Sequence, residues 1–290
     1  MVELGVVFPQ TEMPADPVAV RDFAQAAEDL GYSFLSIFDH VLGANIDRPD
    51  RADRRWPYTH RDLIHEPLTT LAFIAGATSR LGLMPAVLIL PQRQTALVAK
   101  QTAEVDVLSG GRLRLGVGIG WNPVEYEALG EDFHNRGKRI EEQVEVLRAL
   151  WTQDLVTVDG QWHHVTDAGI NPLPLQRPIP IWMGGSVEPV LRRIGRMADG
   201  WVLVGRPSGD VKDQVERVRQ YAREAGRDPA SIGVQGGIRF GGNGPDEWRQ
   251  DLERWELIGA THVAIGTRGA GLGCPADHID AIRKVKEELG

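Results

Sequence analysis

The sequence predicts a single (β/α)8 barrel that spans residues 1–290. Apolar runs of strand length alternate with segments of helical periodicity along the chain, and eight strand-helix units can be distinguished. A chain of 290 residues fits one such barrel, for which about 250 residues plus insertions is typical. A doubly wound open sheet is the alternative. It would require a glycine-rich turn after the first strand, where Phe8-Pro9-Gln10 provides none.

The predicted strands are short apolar runs, and the predicted helices carry apolar residues at helical spacing. The strands are expected at 4–8, 34–38, 81–90, 112–119, 179–183, 201–204, 232–238 and 262–265. In the first helix, Asp16-Pro17 provides an N-cap and a first helical residue, and Gly31 ends the helix. A second helix begins at Glu66-Pro67, and the others are expected at 94–108, 133–151, 190–197, 211–225, 248–258 and 278–289.

Two segments interrupt this alternation. Residues 155–176 carry two apolar stretches on either side of Asp159-Gly160, which predicts a β-hairpin inserted before the fifth strand. Residues 44–65 form a long polar loop after the second strand, and loops of this length are usually lids or disordered linkers. Trp56 and Tyr58 lie in this loop. They are expected either to clamp a planar substrate or to anchor the loop to the barrel rim.

Composition excludes several classes of protein. The 32 Lys and Arg residues against 40 Asp and Glu residues give a net charge of −8, which argues against nucleic acid as the main partner. The longest uncharged runs fall short of the ~18 residues needed to span a bilayer. The N-terminal residues lack the pattern of a signal peptide, and the single Cys274 excludes an internal disulfide. We therefore expect a cytoplasmic protein that binds neither nucleic acid nor membrane.

In a (β/α)8 barrel the reactive groups lie where strands end and helices begin. Those junctions are Pro9-Gln10, Asp39-His40, Pro91-Gln92, Gly118-Ile119-Gly120-Trp121, Gly184-Gly185-Ser186, Gly205-Arg206, Arg239-Phe240 and Thr267-Arg268. Histidine titrates near neutrality, and neighbouring strand residues point to opposite sides. We predict that His40 enters the barrel mouth to transfer a proton and that Asp39 orients or caps the loop. The alternative is a structural histidine that is hydrogen-bonded at the strand end.

Two glycine-rich segments lie at predicted strand ends. Residues 116–120 follow the fourth strand, so they do not form a dinucleotide fingerprint, and their glycines would let a flat ring or a chain lie close to the backbone. Gly184-Gly185-Ser186 has the free amides, hydroxyl and helix N-terminus of an anion site. A tight turn is the alternative for each. No His-x-His or His-Glu-x-x-His spacing is present, so no metal site is predicted.

Motifs along nearly the whole chain resemble those of the bacterial luciferase-like monooxygenase superfamily. They are Phe38-Asp39-His40-Val41-Leu42, Leu108-Ser109-Gly110-Gly111-Arg112-Leu113, Gly116-Val117-Gly118-Ile119-Gly120-Trp121, Glu125-Tyr126, Leu129-Gly130, Arg136-Gly137-Lys138-Arg139, Leu147-Arg148-Ala149-Leu150-Trp151, Pro180-Ile181-Trp182-Met183-Gly184-Gly185 and Asp199-Gly200-Trp201. Within the superfamily the chain is most similar to the actinobacterial group that is thought to use the deazaflavin coenzyme F420 instead of FMN.

The resemblance implies a cofactor ring at the barrel mouth, with its ribityl phosphate near the loop after the fifth strand. Many members carry a non-proline cis peptide bond under the ring, and Ala86-Val87 is the matching position. The cofactor-binding residues implied in this way are Asp39, Ala86, Val87, Gly118, Gly120, Trp121, Gly184, Gly185 and Ser186.

The function implied by the resemblance is hydride transfer between coenzyme F420 and an organic substrate, with His40 handling the proton. An FMN-dependent monooxygenase that uses O2 is the alternative, and a catalytically inactive flavin-binding barrel is the alternative from another class. Relatives imply a homodimer, and a separate reductase or dehydrogenase would supply reduced cofactor. Alcohol-oxidising members carry a tryptophan where this chain has Gly43-Ala44 and a glutamate at the place of Trp121. The substrate is therefore left open.

Overall fold

The architecture is a parallel β-barrel surrounded by helices. The computed structural model describes residues 2–51, 56–203, 206–242 and 244–290. The strands are β1 (Glu3–Val7), β2 (Phe34–Ile37), β3 (Gly82–Pro85), β4 (Leu88–Ile89), β5 (Leu115–Gly118), β6 (Val156–Asp159), β7 (His164–Ala168), β8 (Ile181–Gly184), β9 (Gly200–Val202), β10 (Gly233–Arg239) and β11 (His262–Gly266). The α-helices are α1 (Pro17–Asp29), α2 (Pro67–Ala77), α3 (Thr95–Ser109), α4 (Pro123–Ala128), α5 (Arg136–Thr152), α6 (Glu188–Met197), α7 (Gly209–Glu224), α8 (Pro245–Ile258) and α9 (Pro275–Leu289).

The barrel strands follow one another in chain order around a ring. Their hydrogen-bonded order is β3-β2-β1-β11-β10-β9-β8-β5-β4, and the paired strands are parallel. The two ends of this order meet because β3 and β4 are successive halves of one barrel strand, which pairs with β2 on one side and β5 on the other. A parallel bridge between Leu83 and Leu113 completes the closure. The predicted (β/α)8 barrel is confirmed.

The third barrel strand differs from its prediction. The apolar run at 81–90 is divided into β3 and β4, and a cis peptide bond joins Ala86 to Val87 between them. The cis bond is therefore at the position that the family resemblance implies, but the prediction of one unbroken strand was wrong. Apolar residues continue through the break, so the hydrophobic pattern contains no signal for it.

Other boundaries differ in ways that packing explains. Helix α5 begins at Arg136 and not at Phe133, whose ring packs at 5.3 Å from Tyr126 just before the helix. Helix α4 was not predicted because its six residues are too few to show a helical period. The predicted hairpin is confirmed: β6 pairs antiparallel with β7, and Gly160 N–H donates to the His163 carbonyl at 2.9 Å. Val204, the last residue of the predicted sixth strand, lies outside the described residues.

Large side chains fill the N-terminal end of the barrel interior. The indole of Trp182 lies 5.0 Å from the His262 ring, and the Arg114 guanidinium lies 4.7 Å from the Phe34 ring and 5.2 Å from Trp182. Glycines on adjacent strands make room, since a Cβ at Gly200 would lie 2.2 Å from the Trp182 ring. Burial, with the Arg114 charge, lowers the pKa of His262 to about 3, so this histidine is neutral at pH 7. The open space of the barrel is consequently at its other end.

Candidate active site

A cavity of about 570 Å3 opens at the C-terminal ends of the barrel strands. This volume is in the range of small-molecule and cofactor sites. Of the residues predicted from the sequence to form the site, His40, Tyr58, Ala86 and Trp121 line the cavity. The remaining predicted residues lie outside the cavity lining.

His40 is held by a carboxylate that the sequence analysis did not select. Its Nδ1 atom lies 3.2 Å from Glu125 Oε2, and the side chains are 13% and 0% exposed, respectively. An ionised carboxylate only accepts hydrogen bonds, so this contact places the hydrogen on Nδ1 of a neutral imidazole. Nε2 is then the ring nitrogen that is free to accept a proton or a hydrogen bond in the cavity.

Glu125 also binds the loop that follows β2. Its Oε1 accepts hydrogen bonds from the N–H groups of Val41 at 2.7 Å and Leu42 at 3.4 Å. Tyr58 donates its hydroxyl to Oε2 at 3.1 Å, and its ring stacks on His40 with centroids 3.8 Å apart. The carboxylate therefore fixes the imidazole, the loop backbone and the aromatic ring that covers the imidazole.

The start of α4 explains how Glu125 reaches this position. Asn122 is the N-cap: its Oδ1 accepts from Val124 N–H at 3.1 Å, and Pro123 occupies the first helical position. Asn122 Nδ2 also donates to the Tyr58 hydroxyl at 2.9 Å. An acid three residues after an N-cap usually bonds back to the cap in a capping box. Here the Glu125 carboxylate turns to β2 instead.

Electrostatics keep Glu125 ionised in a buried position. Burial raises the pKa of Glu125, but hydrogen bonds from His40 and from the amides of Leu42 and Val41 outweigh it and leave the pKa below its ordinary value. Burial raises the pKa of Tyr58, and the adjacent Glu125 carboxylate adds to this effect. Tyr58 is consequently a neutral hydrogen-bond donor. The site combines a fixed negative charge with an imidazole beside it.

Asp39 points away from the cavity, as strand alternation requires if His40 points into it. Its carboxylate accepts from Arg93 Nη2 at 2.8 Å and from Ile89 N–H at 2.9 Å. Asp39 thereby fixes β4 relative to β2. Asp39 was predicted to orient or cap the loop after β2, whereas its carboxylate contacts Arg93 and Ile89. Its predicted contact with a cofactor stays a prediction.

The glycines of the fourth and fifth barrel strands accommodate the third strand. An added Cβ would lie 2.6 Å from Val87 Cγ2 at Gly118, 2.7 Å from Ile89 Cγ2 at Gly120 and 2.9 Å from Val87 Cγ1 at Gly184. These glycines do not line the cavity. The glycines of 116–120 were expected to let either a flat ring or a chain lie close to the backbone. The distances above correspond to the close approach of a chain, the third barrel strand. Val87 points away from the cavity toward them, while Ala86 lines it.

Gly185 and Ser186 form an exposed turn before α6, outside the cavity lining. Gly185 has φ of +121°, a conformation that disfavours side chains, and its carbonyl accepts from Trp201 Nε1 at 2.8 Å. The N-cap Val187 provides no side-chain hydrogen bond to the first turn of α6. Pro189 has no N–H, and Val190 N–H donates to the Val187 carbonyl at 2.8 Å, so the amides left for an anion are those of residues 185–188.

The two aromatic residues of the long loop have different positions. Tyr58 is buried and lines the cavity beside Trp121, with ring centroids 5.4 Å apart. Trp56 does not line the cavity, but its ring packs against Trp121 with centroids 5.6 Å apart. Residues 52–55 of the loop lie outside the described residues. Trp56 and Tyr58 thus anchor the loop to the rim, and Tyr58 also contributes to the cavity wall.

The opposite wall of the cavity was not predicted as part of the site. It carries Gln235, Arg239 and Arg268, from β10 and the end of β11. The two arginines were recognised only as residues at strand ends. Gln235 lies inside a strand, where no local motif distinguishes it.

The described part of the chain holds neither a cluster of metal ligands nor a helix that could span a membrane. No group of three or more His, Cys, Asp and Glu side chains converges there in a way that could hold a metal ion. Among the helices of residues 2–51, 56–203, 206–242 and 244–290, none is long and apolar enough to cross a membrane.

The family model described as luciferase-like monooxygenase matches residues 2–286. The chain belongs to the luciferase-like monooxygenase family. Members of this luciferase-like family are oxidoreductases and monooxygenases, and their TIM-barrel fold is the one seen here. The cavity at the strand ends therefore belongs to an oxidoreductase scaffold.

Several relatives extend this similarity. An uncharacterized protein of Mycobacterium tuberculosis is 35% identical over 90% of this chain and 89% of its own. The FMNH(2)-dependent dimethylsulfone monooxygenase of Pseudomonas putida is 34% identical over 74% of this chain and 56% of its own. Among solved structures, an F420-dependent secondary alcohol dehydrogenase in complex with an F420-acetone adduct has a TM-score of 0.80, with 19% identity over 99% of this chain and 98% of its own. At that identity the last likeness concerns the fold.

Proposed function

We propose that this protein transfers a hydride between C5 of coenzyme F420 and an organic substrate bound in the 570 Å3 cavity. The observation that carries the proposal is the arrangement of His40, which lines the cavity with its Nδ1 held by the buried Glu125. Reduction of a carbonyl or an alkene by hydride requires a matching proton transfer, and so does the reverse oxidation of an alcohol or a saturated carbon. A fixed imidazole beside a carboxylate is suited to that step.

The residues present fit a deazaflavin or flavin. Ala86, at the cis peptide bond, and the aromatic side chains of Trp121 and Tyr58 provide a cavity wall for a flat ring. The turn of residues 185–188, at the start of α6, would provide backbone amides for a phosphate. Both features are needed, because either cofactor combines a planar ring with a ribityl phosphate.

The chain's own residues would perform separate tasks. The cofactor, when bound, supplies the hydride acceptor or donor. His40 would accept or donate the proton at Nε2, and Glu125 would stabilise the imidazolium that forms. Tyr58 would exclude water from one face of the imidazole by stacking on it. We further propose that the protein is a cytoplasmic homodimer and that a separate reductase or dehydrogenase supplies the reduced cofactor. Sedimentation velocity tests whether the protein is a dimer.

An FMN-dependent monooxygenase is the second candidate. Its support is the 34% identity to the FMNH(2)-dependent dimethylsulfone monooxygenase, whereas the F420-dependent structural neighbour shares only 19%. The same cavity and the same His40 would serve either cofactor. The two candidates differ in the electron acceptor, which is the organic substrate in one and O2 in the other.

A titration of the purified apoprotein with F420 and with FMN tests the proposal. Fluorescence quenching is expected to give a lower Kd for F420, in either redox state. A Kd for FMN that is tenfold lower, ~1.4 kcal/mol, would assign the protein to the monooxygenase candidate. Failure of both to bind would reject a cofactor-dependent function. Binding of F420 without turnover in a screen of carbonyl and enone compounds would favour the inactive barrel.

A further inference from the structure

The wall of the cavity opposite His40 is formed by alternate residues of β10. Gly236 faces outward, since a Cβ there would lie 2.3 Å from the Trp255 indole of α8. Gly237, the next residue, faces inward, where an added Cβ would meet only the Ala264 carbonyl at 3.5 Å. Because strand side chains alternate, Gln235 and Arg239 point into the cavity on the same side as Gly237.

The neighbouring strand β11 continues this wall. Gly237 is in register with Ala264, and Arg239 with Gly266. Ala264, Gly266 and Arg268 all line the cavity, and an added Cβ at Gly266 would meet only the Ile238 carbonyl at 4.0 Å. Three small residues, Gly237, Ala264 and Gly266, thus form a flat surface, which we call the small-residue wall. Arginines lie at its outer edge.

The outer edge of the wall carries positive charge that the protein does not neutralise. Arg239 makes no hydrogen bond or ion pair with any residue in the described ranges, and Arg268 contacts only the face of Phe38, at 5.2 Å. The third arginine of the cavity, Arg206, is paired with Glu247 at 2.7 Å. No acidic residue is among the described residues that line the cavity. In a chain with a net charge of −8, this edge is a local exception.

The inner end of the wall carries a buried polar group without a partner. Gln235 is only 3% exposed and lines the cavity, and its Oε1 atom accepts no hydrogen bond from the described residues. Buried side-chain amides are nearly always hydrogen-bonded, because leaving one unpaired costs about 1–3 kcal/mol. Gln235 precedes Arg239 by four residues, about 13 Å along a strand. The wall therefore has a polar group at each end and an apolar surface between them.

We propose that the small-residue wall, with Gln235, Arg239 and Arg268, binds an elongated organic anion as the substrate. A carboxylate or phosphate pairs with the two guanidinium groups, an unbranched or planar segment lies against the small residues, and the inner end of the ligand hydrogen-bonds to Gln235. This assignment rests on the proposed function in one respect: the reaction is taken to occur beside His40, on the facing side of the cavity. Arg239 and Arg268 would then determine specificity without taking part in the chemistry.

The same anion chemistry could come from the phosphate of the cofactor. The exposed amides before α6 already provide a place for that phosphate, and they do not line the cavity. The experiment must therefore separate the two sources by measuring cofactor and substrate affinity on the same variants.

The test uses cofactor-loaded protein and three probes of equal chain length: octanoate, octyl phosphate and the neutral octanamide. Isothermal titration calorimetry is expected to show that both anions bind wild type at least tenfold more tightly than octanamide. Arg239→Gln is expected to weaken both anions at least tenfold, ~1.4 kcal/mol, with octanamide and cofactor affinity unchanged. Arg223→Gln, an exposed arginine on α7, removes the same charge and should change none of these values.

Each contrary result has a defined meaning. Equal affinity for octanoate and octanamide would overturn the anion site. Loss of cofactor affinity in Arg239→Gln would assign the arginines to the cofactor phosphate and overturn the substrate assignment. The protein could bind the anions through Arg239 and yet bind neither F420 nor FMN. That result would support the anion site and reject the proposed function. The two proposals therefore fail separately.

A second variant tests the small-residue wall independently of charge. Gly237→Leu places a side chain in open space and is expected to weaken octanoate and octanamide alike, with cofactor affinity retained. Unchanged probe affinity in a folded Gly237→Leu protein would show that no ligand lies along the wall. Loss of cofactor affinity would show that the cofactor ring occupies it, and the substrate assignment would then be overturned.

Discussion

Glu28 and Glu125 are carboxylates that bind several backbone amides at opposite ends of the same barrel. Glu28 accepts from the N–H groups of Ser79, Arg80 and Leu81 at 3.0, 2.7 and 2.8 Å, just before β3 begins. Glu125 accepts from Val41 and Leu42, just after β2 ends. The partners of Glu28 belong to one turn, whereas Glu125 also holds His40 and Tyr58 at a cavity. A carboxylate that accepts backbone hydrogen bonds thus fixes the turn before β3 at one end of the barrel and positions His40 at the other.

The N-terminal end of the barrel contains further contacts of the same kind. Arg112 donates to the carbonyls of Ala75, Thr78 and Leu81, at 3.0, 3.0 and 2.6 Å, in the segment that Glu28 also holds. These bonds satisfy the last carbonyls of α2 and position the start of β3. In this fold the N-terminal end serves stability and the C-terminal end serves catalysis. The difference between Glu28 and Glu125 follows that division.

The largest effect is expected for His40→Ala. Removing the imidazole should lower turnover about 10²-fold or more, because the proton transfer loses its acceptor, while cofactor affinity changes little. Steady-state kinetics together with a cofactor titration measure both quantities. His164→Ala, in the exposed β7 strand of the hairpin, is the matched control and should behave as wild type. Near-normal turnover of the folded variant would leave His40 as a structural residue.

Glu125→Gln is expected to lower turnover about tenfold or more through the position and charge of His40. An amide group facing Nδ1 donates where the carboxylate accepted, so the imidazole must change tautomer. The pH profile of turnover should therefore change as well. Glu127→Gln, an exposed residue of the same helix, is the control. A purely structural role for Glu125 would reduce stability and leave the pH profile in place.

Glu28→Gln is expected to affect stability and not turnover. Four hydrogen bonds lower the pKa of Glu28 to about 2, although burial opposes them, so ionised Glu28 stabilises the fold at pH values above the ordinary 4.5. We expect a loss of about 1–2 kcal/mol at pH 7, with kcat unchanged. The difference from wild type should disappear as the pH falls from about 4.5 toward 2.

Urea unfolding at several pH values measures this effect. Glu104→Gln, an exposed acid on α3, should show neither the loss nor its pH dependence. An equal free-energy loss at pH 2 and pH 7 would mean that the charge of Glu28 is not the source of the stability. Reduced turnover in Glu28→Gln would contradict the separation of the two ends of the barrel.

Local sequence signals were sufficient for the barrel and for His40. Each strand of the barrel is buried on both faces, by the barrel interior on one side and by the surrounding helices on the other. Apolar runs of strand length therefore alternate with segments of helical periodicity, and this pattern repeats at every unit. His40 was selected because it follows a strand at the catalytic end, and its inward direction follows from alternation with Asp39. The hairpin was predicted because Asp159-Gly160 separates two apolar stretches and a turn is a local property.

The partners of these residues depended on tertiary structure. Asn122 and Glu125 have the spacing of a capping box. Glu125 hydrogen-bonds to His40 instead, because the tertiary structure brings the end of β2 next to α4. Tyr58 reaches Glu125 across 67 residues of sequence. Gln235 and Arg239 form one wall with Gly266 because β10 and β11 are neighbours in register. Periodicity reports which side of an element is buried, and it contains no information about which distant side chain lies opposite.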